Sequence, residues 1–180
     1  MKDILIVVDM QKGFLQSDRT KELLSKVEAL LNKNIFDVVI ATRFLNADNS
    51  IFEKSFGWSG LKSEEEQKIP LELIKHIDYF EDKYIYNCVN SNFVQRLCQL
   101  NDGNYPEKIF IVGVDTECCV LTIATSLFEN NIRPIVLSEY VDSNGGKESH
   151  IAGLIALRRL IGEAQISSIK LEDKNQLKTV

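Results

Sequence analysis

The residues of this chain best suited to chemistry lie where apolar runs end. Cys119 comes shortly after the β-branched run Ile109–Val114, which is typical of a buried parallel strand. The apolar residues that follow, over 120–128, recur at the spacing of an amphipathic helix. Cys119 is therefore predicted to lie at a helix N-terminus, where free N–H groups and the helix dipole favour a thiolate and can bind an oxyanion. Because free cysteines also pack in cores, position alone leaves a purely structural role open.

Two charged residues end other predicted strands. Asp9 closes the aliphatic run Ile4–Val8, and Lys83 lies near the end of the weaker run Tyr79–Tyr84. The carboxyl ends of parallel strands meet at one edge of a sheet, so these side chains and Cys119 are expected to lie close together. A carboxylate that accepts the thiol proton and an ammonium that favours the thiolate can perform covalent acyl chemistry. The structural alternatives are a loop cap for Asp9 and a solvated surface charge for Lys83.

Strand-like and helix-like patterns alternate along the chain. Strands are predicted at 4–8, 38–41, 79–84, 109–114, 134–137 and 164–169, with helical stripes between most of them. This order predicts an α/β fold with three layers (α/β/α), in which a mostly parallel, doubly wound, Rossmann-like sheet of about six strands lies between helices. The length of 180 residues suits a single domain over 1–180. The polar stretch 172–180 is expected to be disordered.

The composition of the chain indicates which kinds of partner it can bind. The chain is 44% apolar and 26% charged, as soluble globular proteins are, with a net charge of −5. No cluster of basic residues exceeds the pair Arg158 and Arg159, so a small molecule is expected as the partner rather than a nucleic acid. No apolar stretch approaches the ~20 residues of a membrane span, and the first one is short and ends in an acid. A cytoplasmic location without membrane contact is therefore expected.

The four cysteines, Cys88, Cys98, Cys118 and Cys119, are expected to be reduced in such a location. Their spacing matches no zinc pattern, so neither a metal nor another cofactor is expected. The adjacent pair Cys118 and Cys119 suggests a thiol redox sensor as an alternative function. Adjacent cysteines form only a strained disulfide, however, and no C-x-x-C motif is present.

Several segments resemble the isochorismatase-like cysteine hydrolases, a family that includes nicotinamidases and other small amidohydrolases. The resemblance is carried by VVDMQKGF (7–14), by the pattern K-x-x-Y-N at 83–87 and by GVDTECCV (113–120). It continues through ATSLFENNIRPIVLSEYVDS and HIAGLIAL. Together these segments cover nearly the full chain, in order.

The resemblance implies a catalytic triad of Asp9, Lys83 and Cys119. It implies an enzyme that hydrolyses an amide or carbamoyl C–N bond through a cysteine thioester, without a redox cofactor, and that forms a homo-oligomer, often a dimer or tetramer. An isochorismate-type ether hydrolase is an alternative, but those relatives commonly lack the cysteine, so Cys119 favours amide chemistry. A catalytically silent binding domain is a further alternative, which the complete triad disfavours.

The resemblance also assigns the residues around the thiol. In the family the nucleophile is followed by an apolar residue, which fits Cys119 and leaves Cys118 a neighbouring or packing role. A cis peptide bond is implied between Val114 and Asp115. The backbone N–H groups of Asp115 and Cys119 would then form the oxyanion hole.

The chain departs from the nicotinamidase pattern where that pattern binds metal. Nicotinamidases hold a metal ion with an aspartate and histidines in the segment after the second strand, and here that segment, TRFLNADNSIF (42–52), has no histidine. The two histidines, His76 and His150, stand in no D-x-H arrangement. A metal-dependent nicotinamidase is therefore disfavoured, and His150 is expected to act as a polar cap or structural residue at the last helix.

The segment 44–60 carries four aromatic residues among polar ones and is predicted to cover the pocket. The alternative is that these aromatics pack a satellite core or a subunit interface. Phe14 and Trp58 are predicted to contact the substrate. Arg43 and Asn46 are predicted to bind a substrate carboxylate or amide.

Overall fold

The computed structural model describes residues 1–180 and contains one sheet of six strands. These are β1 (Ile4–Val8), β2 (Val38–Phe44), β3 (Tyr79–Lys83), β4 (Lys108–Gly113), β5 (Arg133–Val141) and β6 (Ile166–Ser167). Every pairing is parallel, and the strand order is β3-β2-β1-β4-β5-β6. The prediction of a mostly parallel sheet of about six strands is confirmed.

Helices cover both faces of this sheet, which confirms the three-layer, doubly wound architecture. They are α1 (Asp18–Leu31), α2 (Ile51–Phe56), α3 (Glu64–Gln67), α4 (Leu71–Ile74), α5 (Ser91–Leu100), α6 (Leu121–Glu129) and α7 (Gly146–Ile161). The side chain of Ser17 accepts the Thr20 N–H at the start of α1, and Asn90 caps α5 in the same way. None of the helices has both the length and the apolar composition needed to cross a bilayer.

The central strand β1 explains why its sequence is a continuous aliphatic run. All five of its residues are buried, because β1 is paired on both edges and covered on both faces. Its alternate side chains enter two separate cores. One core contains Ile4, Ile6 and Val8 with residues of α5, α6 and α7, and the other contains Leu5 and Val7 with residues of α1.

The largest differences from the predicted element ends are in three strands. Strand β2 runs on to Phe44, β5 runs on to Val141, and β6 is reduced to two residues. The expected disorder of 172–180 is wrong, because the segment Lys174–Lys178 forms a 3₁₀ helix whose Leu177 is fully buried. A single apolar residue in a polar stretch is enough to attach it to the core, a signal too short for composition to reveal.

The strand order reverses between β1 and β4, and in such sheets ligands bind in the crevice at the carboxyl ends of the strands on either side of that point. Gly113, the last residue of β4, has φ +117° and lies so close to β1 that an added Cβ would stand 2.1 Å from the Val8 carbonyl oxygen. Only glycine permits this approach. The close contact brings the residues that follow β1 and β4 to the same edge.

Gln11, in the loop after β1, holds this edge together. Its fully buried side chain donates to the carbonyl oxygens of Phe44 and Gln67, at 3.0 Å each, and accepts the Phe44 N–H at 2.7 Å. The glutamine of the D-M-Q sequence is thus a structural residue. It fixes the end of β2, and with it the aromatic ring of Phe44.

Replacing Gln11 by alanine should lower the free energy of unfolding by about 2 kcal/mol, because the buried Phe44 N–H loses its acceptor. Urea denaturation measures the change. The matched control is Gln95→Ala on α5, where the side chain is exposed, and the change should stay within about 0.5 kcal/mol. Equal changes in the two variants would contradict the structural role of Gln11.

Candidate active site

Asp9, Lys83 and Cys119 meet at the carboxyl edge of the sheet. Asp9 directly follows β1, Lys83 is the last residue of β3, and Cys119 lies between β4 and α6. The Lys83 Nζ lies 2.7 Å from Asp9 Oδ2 and 3.2 Å from Cys119 Sγ. Asp9 is 0%, Lys83 3% and Cys119 6% exposed, so the lysine charge is held out of water and compensated by the aspartate.

The long side chain of Lys83 allows its ammonium to reach Asp9 and Cys119. Strand β2 separates β1 from β3, and Lys83 pairs in register with Phe44 at the end of β2. The ammonium passes the Phe44 ring, 5.1 Å from its centroid, and also donates to the Ile85 carbonyl oxygen at 3.2 Å. The ring contact adds a cation–π interaction to the ion pair with Asp9.

A threonine on β2 orients Asp9. The Thr42 hydroxyl donates to Asp9 Oδ1 at 2.6 Å and accepts the Asp9 N–H at 3.1 Å. Thr42 is fully buried, and Asp9 has φ +49°, in the left-handed region. Sequence reasoning missed this residue. The available signal was one hydroxyl directly after the apolar run Val38–Ala41, in the strand next to β1.

The nucleophile candidate lies in a tightly held turn. Residues Thr116–Val120 form one turn of π-helix before α6, and the peptide bond between Val114 and Asp115 is cis. Helix α7 packs closely behind this turn, since a Cβ added at Gly153 would lie 2.7 Å from the Glu117 nitrogen. His150 of α7 joins its Nδ1 to the Thr116 hydroxyl at 2.8 Å, so it anchors the turn and does not line the cavity described below.

The electrostatics of Cys119 differ from the expectation of a thiolate favoured by a helix terminus. Burial raises the pKa of the Cys119 thiol well above its ordinary value, and the Asp9 carboxylate raises it further, while the Lys83 ammonium opposes both. Burial by itself lowers the pKa of Lys83, but the Asp9 charge and the hydrogen bonds to Asp9 and Cys119 outweigh it and raise that pKa. At neutral pH the pair is therefore thiol and ammonium, and the thiol needs a base before it can react.

A cavity of about 340 Å³ opens above Cys119. Aromatic side chains form most of its wall, and a carboxylate and two thiols form the rest: Phe14, Phe44, Phe52, Phe56, Trp58, Tyr86, Asp115, Cys118 and Cys119. Asp9 and Lys83 do not line the cavity but lie beneath Cys119. A ligand in the cavity would meet the sulfur first.

The segment 44–60 contributes much of this wall. Phe44 and Phe52 form a small buried cluster with Leu61, and Phe14 and Trp58 pack against it. The rings of Phe14 and Trp58 are stacked, with centroids 6.0 Å apart. The segment thus combines the two roles weighed from the sequence, because the same aromatics cover the pocket and pack a satellite core.

Arg43 and Asn46, expected to bind substrate, lie outside the cavity wall. The Arg43 guanidinium donates to both carboxylate oxygens of Asp82, at 2.6 and 2.9 Å. Asn46 donates to the carbonyl oxygens of Trp58 and Gly60. Strand alternation explains the error for Arg43, since Thr42 and Phe44 face the site and the residue between them faces away.

The side chains present do not fit a metal centre of the nicotinamidase kind. No three His, Cys, Asp or Glu side chains are grouped so that they could hold a metal ion. After β2, the two carboxylates of Asp48 and Glu53 both bind the Lys62 ammonium. His76 instead faces the Asn32 side chain, with 3.0 Å between Nε2 and Oδ1.

Several solved structures have the same fold as this chain. An isochorismatase-like hydrolase from Alkaliphilus metalliredigens superposes with a TM-score of 0.77 at 17% identity, covering 99% of this chain and 98% of that one. The pyrazinamidase of Pyrococcus horikoshii, solved in complex with zinc, gives 0.75 at 18% identity, with 95% and 100% covered. The yeast nicotinamidase bound to nicotinaldehyde gives 0.70 at 20%, with 87% and 96% covered. At these identities the likeness establishes the fold.

Sequence comparison gives the family. A search of curated protein sequences finds no significant match. The family model of the isochorismatase domain, however, matches residues 3–168. The match covers all six strands and the segments that carry Asp9, Lys83 and Cys119. The protein therefore belongs to the isochorismatase domain family of hydrolases.

Proposed function

We propose that this protein hydrolyses a C–N bond of a small amide or carbamoyl compound through a thioester on Cys119. The observation that carries the proposal is the buried Lys83 ammonium in contact with both Asp9 and Cys119, at 2.7 and 3.2 Å, beneath an aromatic cavity. The similarity to a nicotinamidase and a pyrazinamidase supports amide chemistry. The substrate enters the cavity and presents its carbonyl carbon to the sulfur.

In the first step Asp9 accepts the Cys119 proton, and the thiolate attacks the carbonyl carbon. A base is required because burial and the Asp9 charge raise the pKa of the thiol. Lys83 stays protonated, stabilises the thiolate as it forms and holds Asp9 in place. Thr42 keeps the carboxylate turned towards the reaction by its hydrogen bond to Oδ1.

The carbonyl oxygen becomes an oxyanion in this step, and backbone amides bind it. The Asp115 N–H has no hydrogen-bond acceptor in the protein and belongs to a residue of the cavity wall. Together with the Cys119 N–H it forms the oxyanion hole. Such donors stabilise the transition state more than the ground state, since the charge develops only as the sulfur bonds to carbon.

The second half of the reaction reuses Asp9. The protonated carboxyl gives its proton to the leaving amine as the C–N bond breaks, which leaves a thioester on Cys119. Asp9 then takes a proton from water, the hydroxide attacks the thioester, and the sulfur leaves and recovers the proton. Every proton is passed between this chain's own groups and substrate or water, and no electron is transferred.

The observations disfavour the alternative of a thiol sensor. Burial, together with the charges of Glu117 and Asp115, raises the pKa of Cys118 to about 11. The pKa of Cys119 is raised as well. Sensor cysteines need a low pKa and exposure, and neither residue of the pair has such an environment.

Replacing Cys119 by alanine should abolish ammonia release from a panel of primary amides, carbamoyl compounds and nicotinamide, with a loss of at least about a thousandfold in kcat/KM. Cys118→Ala should keep the release, and Cys98→Ala on α5 should match the unmodified protein. A chelator should have no effect, because the carboxylates after β2 are bound to Lys62. Release that survives in Cys119→Ala, or that a chelator stops, would refute the proposal.

Thr42→Val tests the orientation of Asp9. The valine keeps the shape but removes the donor to the ionised carboxylate, so kcat/KM should fall about tenfold to a hundredfold. Thr42→Ser, which keeps the hydroxyl but loses the methyl group, should restore kcat/KM. Full activity in Thr42→Val together with a loss in Thr42→Ser would mean that Thr42 serves packing alone.

A further inference from the structure

The cavity wall carries one charged side chain, and it is negative. Apart from Asp115, the wall consists of six aromatic residues and two cysteines. No lysine, arginine or histidine lines it. Lys83, which contacts the Cys119 sulfur at 3.2 Å, lies outside the wall and is compensated by Asp9 at 2.7 Å. The charge that a ligand meets in the cavity is therefore that of Asp115.

The Asp115 carboxylate is held in place but not neutralised. Its Oδ1 accepts both the Asn144 backbone N–H and the Asn144 side-chain amide, at 2.8 Å each. Oδ2 has no donor in the protein, and no basic side chain forms an ion pair with it. The two hydrogen bonds fix the position of Oδ1, and Oδ2 remains available to a ligand.

The groups around Asp115 are negative or neutral, and none of them neutralises its charge. Glu117 on the same turn and Asp9 after β1 are anions, and Asn144 before α7 is neutral. Burial raises the pKa of Asp115 to about 6, the two Asn144 hydrogen bonds oppose that rise, and the charges of Glu117 and Asp9 add to it. Above that pH an anion stands partly out of water without a counter-ion.

The aromatic wall of the cavity also favours a positively charged ligand. The faces of aromatic rings attract cations, most strongly where water is excluded, and quaternary ammonium groups are bound in this way. An anionic ligand would meet these negative faces and an unpaired carboxylate, with no donor cation to offset its desolvation. The charge of Asp115 and the negative faces of the rings thus both favour a positively charged ligand.

We propose that Asp115 is a specificity-determining residue that selects amides whose acyl part bears a positively charged apolar group, such as a quaternary ammonium. The inference rests on the amide hydrolysis proposed above. The scissile oxygen binds the Asp115 N–H, so a substituent on the neighbouring carbon lies within reach of the carboxylate of the same residue. An apolar cation there contacts the aromatic wall on its other sides. Anionic amides are excluded.

The test uses three small amides of similar shape. They are trimethylammonioacetamide, its uncharged isostere tert-butylacetamide, and the anion malonamate. Ammonia release gives kcat/KM for each with the unmodified protein and with Asp115→Asn, which keeps an acceptor for Asn144. Titration calorimetry measures the binding of the same amides to Cys119→Ala and to the double variant that also carries Asp115→Asn. This second measurement needs no turnover.

The unmodified protein should prefer the cation over the isostere, and Asp115→Asn should lower that ratio by about tenfold, as expected for the loss of one partly buried charge contact. The ratio should rise as pH passes through about 6 in the unmodified protein and stay flat in the variant. The ratio is informative even if the variant is slower or less stable, because both substrates share that loss.

Three outcomes separate this inference from the proposed function. Hydrolysis of the cation and the isostere with the same ratio in both proteins overturns the role of Asp115 and leaves amide hydrolysis standing. Cation-selective binding to Cys119→Ala, lost with Asp115→Asn, but without hydrolysis of any amide, supports the selectivity and overturns the reaction. Preferred binding of malonamate, or binding of none of the three, overturns the inference.

Discussion

The site depends on one buried contact, the ammonium of Lys83 between the Asp9 carboxylate and the Cys119 sulfur. A buried ion is costly unless it is paired, and removing Asp9 or Lys83 would leave the charge of the other uncompensated in the interior. Much of the surrounding structure serves this contact. Gly113 lets β4 approach β1, Thr42 holds the carboxylate, and the Phe44 ring lies beside the lysine as it crosses β2.

The same contact explains why the resting thiol is not itself reactive. A helix terminus favours a thiolate, but here burial and the Asp9 charge raise the pKa of Cys119 beyond what Lys83 offsets. In the proposed reaction the sulfur is activated only when Asp9 takes its proton, and the same carboxyl later protonates the leaving group. Asp9 does not line the cavity but is joined to the sulfur through the Lys83 ammonium.

The fold could be predicted because its signals are local aliphatic runs and helical stripes. That Asp9, Lys83 and Cys119 lie at one edge of the sheet could be predicted from their places at strand ends, while their catalytic roles were implied only by the family resemblance. The contacts of Thr42 and Arg43 could not be predicted from the sequence. They depend on which face of β2 each side chain takes, and on partners at 9 and 82 that are distant in sequence. Leu177 likewise shows that one apolar residue can fix a polar segment against the core.

In the two proposals above, the turn after β4 carries both the reaction and the recognition of the substrate in a few residues. The Asp115 backbone offers a free N–H, its side chain is the only charged group in the wall, and Cys119 lies four residues further on. Helix α7 supports the turn through the close approach of Gly153 and the contact of His150 with Thr116. In these proposals, selectivity on the same turn as the oxyanion donors would act at the reacting carbon, so a ligand of the wrong charge would be discriminated against in the transition state as well as on entry.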